Sequence, residues 1–212
     1  MANQMSVFTN AAYMGDPAEK LRAGGWQSEG GGVATRNGGL NIERVRGYGD
    51  DTILVRFAEM RDRLSGLERH PASHLAAGWW LTEDMFAWLL GRVFGATGQA
   101  SQNIQNQMLL PPEWNAADCV VRAFPKRGVV LGAWFGRPRS VLAAPGGAGR
   151  VMQGGGAVQT EEWMYQLYVP GLAGRPLNAQ NWLEFEGIYS TKPKRDPVLK
   201  YPCIRPGKRH RY

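Results

Sequence analysis

Residues 78–95, GWWLTEDMFAWLLGRVFG, hold the one well-formed helical period in the chain. Thr82 offers a hydroxyl N-cap, and Glu83 and Asp84 place negative charge in the first turn. Met85, Trp88, Leu89 and Val93 then recur at helical spacing until Gly95 ends the run. On both sides the pattern is that of strands. NIERVRGY and TILVRFAEM precede the helix; CVVRAF, GVVLGAWFG, EEWMYQLYV and WLEFEGIYS follow it. Strands, one good helix, then strands predict a compact α+β domain rather than alternating βαβ units. The 28 glycines and 13 prolines agree, since they favour turns and short strands over a helical bundle.

Around this centre the chain divides by composition. Residues 1–40 form a polar, Gly-rich N-terminal segment in which DPAEKLRAG alone offers a short helix, residues 41–190 form the α+β domain, and residues 191–212 form a basic tail with four prolines. The tail carries eight Lys and Arg against Asp196, which accounts for the whole formal charge of +7; the other 190 residues balance at 17 of each sign. Such a tail suits a solvated end, an acidic partner such as a neutralising immunity protein, or nucleic acid held through its phosphates by residues 192–212. A neutral body argues against a dedicated nucleic-acid-binding fold, which spreads basic charge over a folded face.

Two cysteines, Cys119 and Cys203, are too few for a disulfide framework or a metal site, and Cys119 reads as a buried free thiol in an apolar strand. No apolar run reaches the length of a membrane span, and MANQMSVFTNAAYMGD lacks the features of a signal peptide. The expected site of action is the cytoplasm, reached in case of export by a signal-peptide-independent route, with no membrane partner.

Motifs for common chemistries are missing: no Walker loop, strand-turn-helix GxGxxG, HExxH, CxxC or GxSxG occurs. His70 and His74 have i, i+4 spacing, but Pro71 disfavours an uninterrupted helix through both, so no metal is expected. What stands out is PGGAGRVMQGGGAVQTEE at 145–162, where six glycines precede Gln159-Thr160-Glu161-Glu162. So many glycines mean a slack linker or a backbone that must approach a ligand closely.

Three segments, in order, carry a resemblance: Arg56-Phe57-Ala58 in a strand, Gly78-Trp79-Trp80-Leu81-Thr82 before the helix, and Phe135-Gly136-Arg137-Pro138 followed by Gly154-Gly155-Gly156-Ala157-Val158-Gln159. With Leu110-Pro111 before CVVRAF, this arrangement resembles the NAD glycohydrolase toxins of the tuberculosis necrotizing toxin family, over roughly residues 50–170. Here Ala58 stands where that family has glycine, and residues 139–153 separate the two halves of the last motif. The resemblance implies an ADP-ribosyltransferase-like fold: a small split, mainly antiparallel twisted sheet with few helices and a cleft between two half-sheets.

It also implies NAD+ or NADP+ as substrate, cleaved at the nicotinamide–ribose bond by a toxin or effector, with no metal. In that scheme Arg56 clamps phosphate, Trp79 or Trp80 covers the cationic nicotinamide, Thr82 steadies the ribose side, and Gln159 serves catalysis. Phe135, Gly155 and Gly156 complete the cofactor-binding set. A related scheme, mono-ADP-ribosyl transfer to a protein or nucleic acid, uses Arg56, Thr82 and Gln159-Thr160-Glu161, with Glu161 stabilising the ribosyl cation; Glu184 and Glu186 offer a second acidic pair. A third possibility is a non-catalytic nucleic-acid-binding or virion structural protein. Each residue also has a structural use: Arg56 pairing with Glu43 or Glu59, the tryptophans filling a core wall, and Glu161 standing exposed at a strand start.

Overall fold

The computed structural model describes residues 7–28, 34–61, 65–67, 69–93, 105, 108, 115, 117–143, 150–152 and 165–191. In chain order it runs α1 (Ala11–Met14), α2 (Pro17–Ala23), β1 (Trp26–Ser28), β2 (Ala34–Arg36), β3 (Leu40–Tyr48), β4 (Leu54–Ala58), α3 (Pro71–Leu75), β5 (Trp79–Thr82) and α4 (Glu83–Val93). It continues with β6 (Cys119–Pro125), β7 (Leu131–Pro138), β8 (Val141–Ala143), β9 (Arg150–Met152), β10 (Gln166–Tyr168), α5 (Pro176–Trp182) and β11 (Leu183–Ser190). The fold is α+β. Seven strands form one sheet in the order β11-β6-β4-β5-β10-β7-β3, and every neighbouring pair is antiparallel. Two small hairpins, β1–β2 and β8–β9, stand beside it.

Alternation along the strands assigns the two faces. Leu54 and Ala58 of β4 join Cys119, Val121, Trp80 and Leu167 in one apolar cluster, which also takes in Leu75 of α3 and Ala179 of α5. Val55 and Phe57 point the other way and pack with Leu81 and with Phe86 and Leu89 of α4. A third cluster joins Met14 of α1 and Ala23 of α2 to Trp134 and Tyr168. The strands in the middle are buried on both faces, which is why CVVRAF and GVVLGAWFG read as continuous apolar runs.

The short strand β5 makes two narrow junctions, of two residue pairs each. Strand β4 pairs with β6 along its whole length, but with β5 at two positions, Leu54↔Thr82 and Val55↔Leu81. Past those pairs β5 turns to β10 instead, through Leu167↔Trp80 and Tyr168↔Trp79. Arg56 and Phe57 therefore face the gap where the two strands part.

The N-terminal residues are tied to the sheet. Asn10, fully buried, exchanges a pair of hydrogen bonds with Gly132: its Nδ2 donates to the Gly132 carbonyl at 2.9 Å and its Oδ1 accepts from the Gly132 N–H at 2.8 Å. The same Nδ2 donates to the Pro170 carbonyl at 3.0 Å. Glu19 of α2 is equally buried and accepts from the Tyr168 hydroxyl at 2.8 Å, from Arg22 at 2.9 Å and from Arg175 at 3.3 Å. Asp16 caps α2, accepting from the Ala18 N–H at 2.8 Å, ahead of Pro17 at the first helical position.

Helices α1 and α5 and the β8–β9 hairpin have no forerunner in the sequence pattern, which offered one N-terminal helix and no strand pairing within 139–153. Strand β4 is also shorter than TILVRFAEM, since its ladder ends at Ala58. No helix runs through both histidines: His74 lies in α3, while His70 precedes it with extended backbone and caps it, its Nδ1 accepting from the Ala72 N–H, ahead of Pro71 in the first turn.

Candidate functional site

A cavity of about 370 Å³ opens where β4 and β5 part. Arg56 and Phe57 of β4 and Trp79, Trp80 and Leu81 of β5 line its floor. From there it passes Gln166 of β10 and reaches Pro138, Arg139 and Val141 at the end of β7 and the start of β8. Met108 and Asn115 form one side. Arg22, the Gly25-Trp26 turn and Asn37-Gly38-Gly39 form the other. Among the described lining residues three are arginines and none is a carboxylate.

Arg56 is half-buried on the face covered by α3, and its Nη1 donates to the His74 carbonyl at 2.6 Å. Its guanidinium carbon lies 5.8 Å from the centre of the Trp80 ring. Neither expected carboxylate takes it: Glu43 pairs with Arg137 at 3.3 Å and Glu59 with Arg69 at 3.4 Å. The Arg56 Nε has no hydrogen-bond partner among the described residues. Burial pulls its pKa down to about 10, with the Cys119 thiol opposing that shift and Arg69 adding to it. At neutral pH Arg56 is still a full cation, held where a cation is costly.

The two tryptophans divide the labour. Trp80 is core: it is 1% exposed and donates its indole N–H to the Ala77 carbonyl at 2.7 Å. Trp79 is half-buried at the cavity, its ring edge-on to Tyr168 at 5.1 Å. Thr82 lies at the paired end of β5, where its hydroxyl accepts from the Met85 N–H at 3.5 Å and caps α4. Phe135 is buried away from the cavity lining, stacked on Tyr165 at 4.6 Å with the guanidiniums of Arg44 and Arg46 at 4.4 and 4.7 Å. Gln159, Glu161, Gly155 and Gly156 lie outside the described residues, as does Leu110-Pro111. Glu186 is committed elsewhere. With Glu83 it holds the buried Arg122, at 3.0 and 2.9 Å, from a bulge between Phe185 and Gly187. Glu184 is exposed.

Several cavity residues carried no signal as a motif. Gln166 is a buried polar side chain in a three-residue strand whose other two members are apolar; its Nε2 donates to the Met108 carbonyl at 2.8 Å. Asn115 donates to the Phe57 carbonyl at 3.1 Å, giving β4 a side-chain partner where β5 has left it. Its own carbonyl accepts from Gln105 at 2.8 Å. A polar residue in an otherwise apolar buried strand was the one available clue to Gln166.

Among the described residues the glycines that form a cavity wall are Gly25, Gly38 and Gly39; those at 154–156 lie outside the described residues. Gly25 and Gly39 both have φ near +80° and cross backbone to backbone: a methyl on Gly25 would collide with the Gly38 carbonyl, and one on Gly39 with the Gly25 nitrogen. The crossing is fixed by the Asn37 N–H donating to the Gly25 carbonyl at 2.8 Å and the Arg139 N–H donating to the Gly39 carbonyl at 2.8 Å.

Two nucleophile or metal candidates find other uses. Burial pushes the Cys119 thiol up to about 12, with Asp118 adding to the rise, so it is inert as a thiolate. Among the described residues no group of three His, Cys, Asp or Glu is placed to hold a metal ion. No helix there is long and apolar enough to cross a membrane. Set against protein-family models, curated proteins and solved structures, the chain matches none.

Proposed function

We propose that the protein is an NAD+ glycohydrolase that works in the cavity at the β4–β5 gap. The observation that carries this reading is Arg56: a permanent cation without a carboxylate partner among the described residues, beside tryptophan, in a cavity whose described lining holds no acid. A pyrophosphate would take the place of the missing carboxylate. Trp79, with its half-buried ring, would cover the cationic nicotinamide.

Bond cleavage needs little acid help here. Nicotinamide leaves C1′ of the ribose as a neutral molecule, taking the bonding electrons that quench its ring charge. Water adds to the oxocarbenium-like carbon and loses a proton to solvent, giving ADP-ribose. The protein's share is then positioning and water exclusion rather than proton transfer. Gln166 is suited to orient a ribose hydroxyl or the attacking water through its Oε1, since its amide nitrogen already holds Met108. Gln159, named by the family resemblance, is the competing candidate for that role. The parting of β4 and β5 supports a sheet divided into two halves with the ligand between them, as an ADP-ribosyltransferase-like fold would have.

The test is incubation with NAD+, following nicotinamide and ADP-ribose by chromatography. Equal release of both is expected from wild type. Arg56→Ala should lower kcat/KM at least about 100-fold, the worth of two charge-assisted hydrogen bonds. Gln166→Ala and Gln159→Ala, run side by side, show which glutamine serves. Nicotinamide released only when RNA, DNA or protein is added would replace hydrolysis by transfer. No cleavage under any condition would remove the reading.

A further inference from the structure

We propose that the cavity prefers a dinucleotide bearing a phosphate on its adenosine ribose, NADP+ over NAD+, with Arg139 and Arg36 binding that phosphate. The proposal rests on the glycohydrolase reading for the identity of the dinucleotide. The subsite itself rests on charge placement.

The cavity crosses from β4, past β5 and β10, to the end of β7. That is three strand spacings, roughly 14 Å, room for the pyrophosphate and the adenosine half of a dinucleotide between the two ends. Arg56 stands at one end and Arg139 at the other. The third lining arginine, Arg22, is already neutralised by the buried Glu19 at 2.9 Å. Arg139 is not: no carboxylate lies within ion-pair distance of it among the described residues, and the same holds for Arg36.

Arg139 lines the cavity and Arg36 stands beside it over Trp26, each anchored by its Nε–H. Arg139 donates to the Leu40 carbonyl at 3.0 Å and Arg36 to the Gly24 carbonyl at 3.1 Å, and the terminal nitrogens of each fork have no hydrogen-bond partner among the described residues. Their anchors lie together, since Gly24 packs against Gly39, whose carbonyl accepts the Arg139 N–H. The proton affinity of Arg139 is lowered first by burial and then by the charge of Arg36. Two like charges kept together without a counterion among the described residues gain from a dianionic phosphomonoester placed between them.

Two more features fit this end of the cavity to a phosphorylated adenosine. Four backbone amides at this end, those of Gly25, Asn37, Gly38 and Arg139, already donate to carbonyls that fix the glycine crossing and its surroundings. The guanidiniums are then the main groups left to bind the anion. Trp26 lines the cavity, is 39% exposed, and has the Arg36 guanidinium 5.3 Å from its ring centre, a flat apolar surface beside the cation pair for a base to stack on.

The experiment compares kcat/KM for NADP+ and NAD+ in wild type, Arg139→Gln, Arg139→Lys and Arg36→Gln, and measures binding of 2′,5′-ADP and 5′-AMP by calorimetry. Wild type is expected to favour NADP+ about tenfold or more, and 2′,5′-ADP over 5′-AMP by a similar factor. Each Gln variant should lower both ratios about tenfold, with Arg139→Lys between. Equal use of the two dinucleotides, or ratios unmoved in folded variants, would overturn the proposal while leaving NAD+ cleavage standing. If neither dinucleotide is cleaved, Arg139-dependent preference for 2′,5′-ADP would support the subsite and sink the glycohydrolase reading instead. Absence of binding by both small ligands would overturn the subsite.

Discussion

A guanidinium held half-buried without a carboxylate among the described residues carries a desolvation cost, and Arg56 illustrates how that cost is balanced. Its bond to the His74 carbonyl compensates part of the desolvation, and the rest is available to an anion. Arg56→Met is therefore expected to fold with a stability within about 1 kcal/mol of wild type, because relief of the buried charge offsets the lost hydrogen bond. In thermal unfolding with added ADP-ribose, wild type should gain stability and Arg56→Met should not. His74 tests the same neighbourhood through pH. Its imidazole is 1% exposed, and burial, then Arg56 and Arg69, lower its pKa below the ordinary 6.5. The unfolded chain thus binds more protons than the native one between that depressed value and 6.5. Stability should be full above pH 6.5 and fall as pH drops through this window. His74→Gln should flatten that slope in denaturant melts from pH 7 to 5; an unchanged slope would mean that His74 titrates normally.

Among the elements, those readable in the sequence are those whose stability is local. Helix α4 has its cap, its acidic first turn and its apolar spacing within twelve residues, so Thr82 was recognisable as a cap before any ligand role. Helix α1 has four residues and no side-chain cap. It exists because Asn10 and Met14 are seated on β7 and Tyr168, more than a hundred positions away. The glycine crossing has no local signature for the same reason. As a sequence, GGWQSEGGGVATRNGG shows turns; that Gly25 and Gly39 must pass each other at contact distance is a tertiary fact. Gly39→Ala is expected to destabilise by more than the roughly 1 kcal/mol of an ordinary positive-φ replacement, since backbone must also move. Asn10→Ala should cost about 3 kcal/mol in denaturant unfolding by stranding the Gly132 and Pro170 groups, and Asn10→Asp no less, because a carboxylate would face two carbonyl oxygens. Full stability of either variant would show that solvent replaces the latch.

At the scale of the whole molecule, charge and sheet are organised independently. The formal charge of +7 resides in the last 22 residues, so deleting 192–212 leaves a near-neutral body. That truncation is expected to keep NAD+ cleavage and to lose salt-sensitive binding to single-stranded RNA in filter assays. Retained RNA binding would place the contact on the body. The sheet, for its part, has long ladders at its two sides and short ones between. On one side β11, β6 and β4 are laddered through five to seven residue pairs each, and on the other β7 and β3 through eight; between them β5 meets β4 and β10 through two pairs each, and β10 meets β7 through three. A twist about the narrow strand β5 would change the width of the cavity while leaving the long ladders on either side intact, so the cavity could widen by bending a hinge without melting a strand.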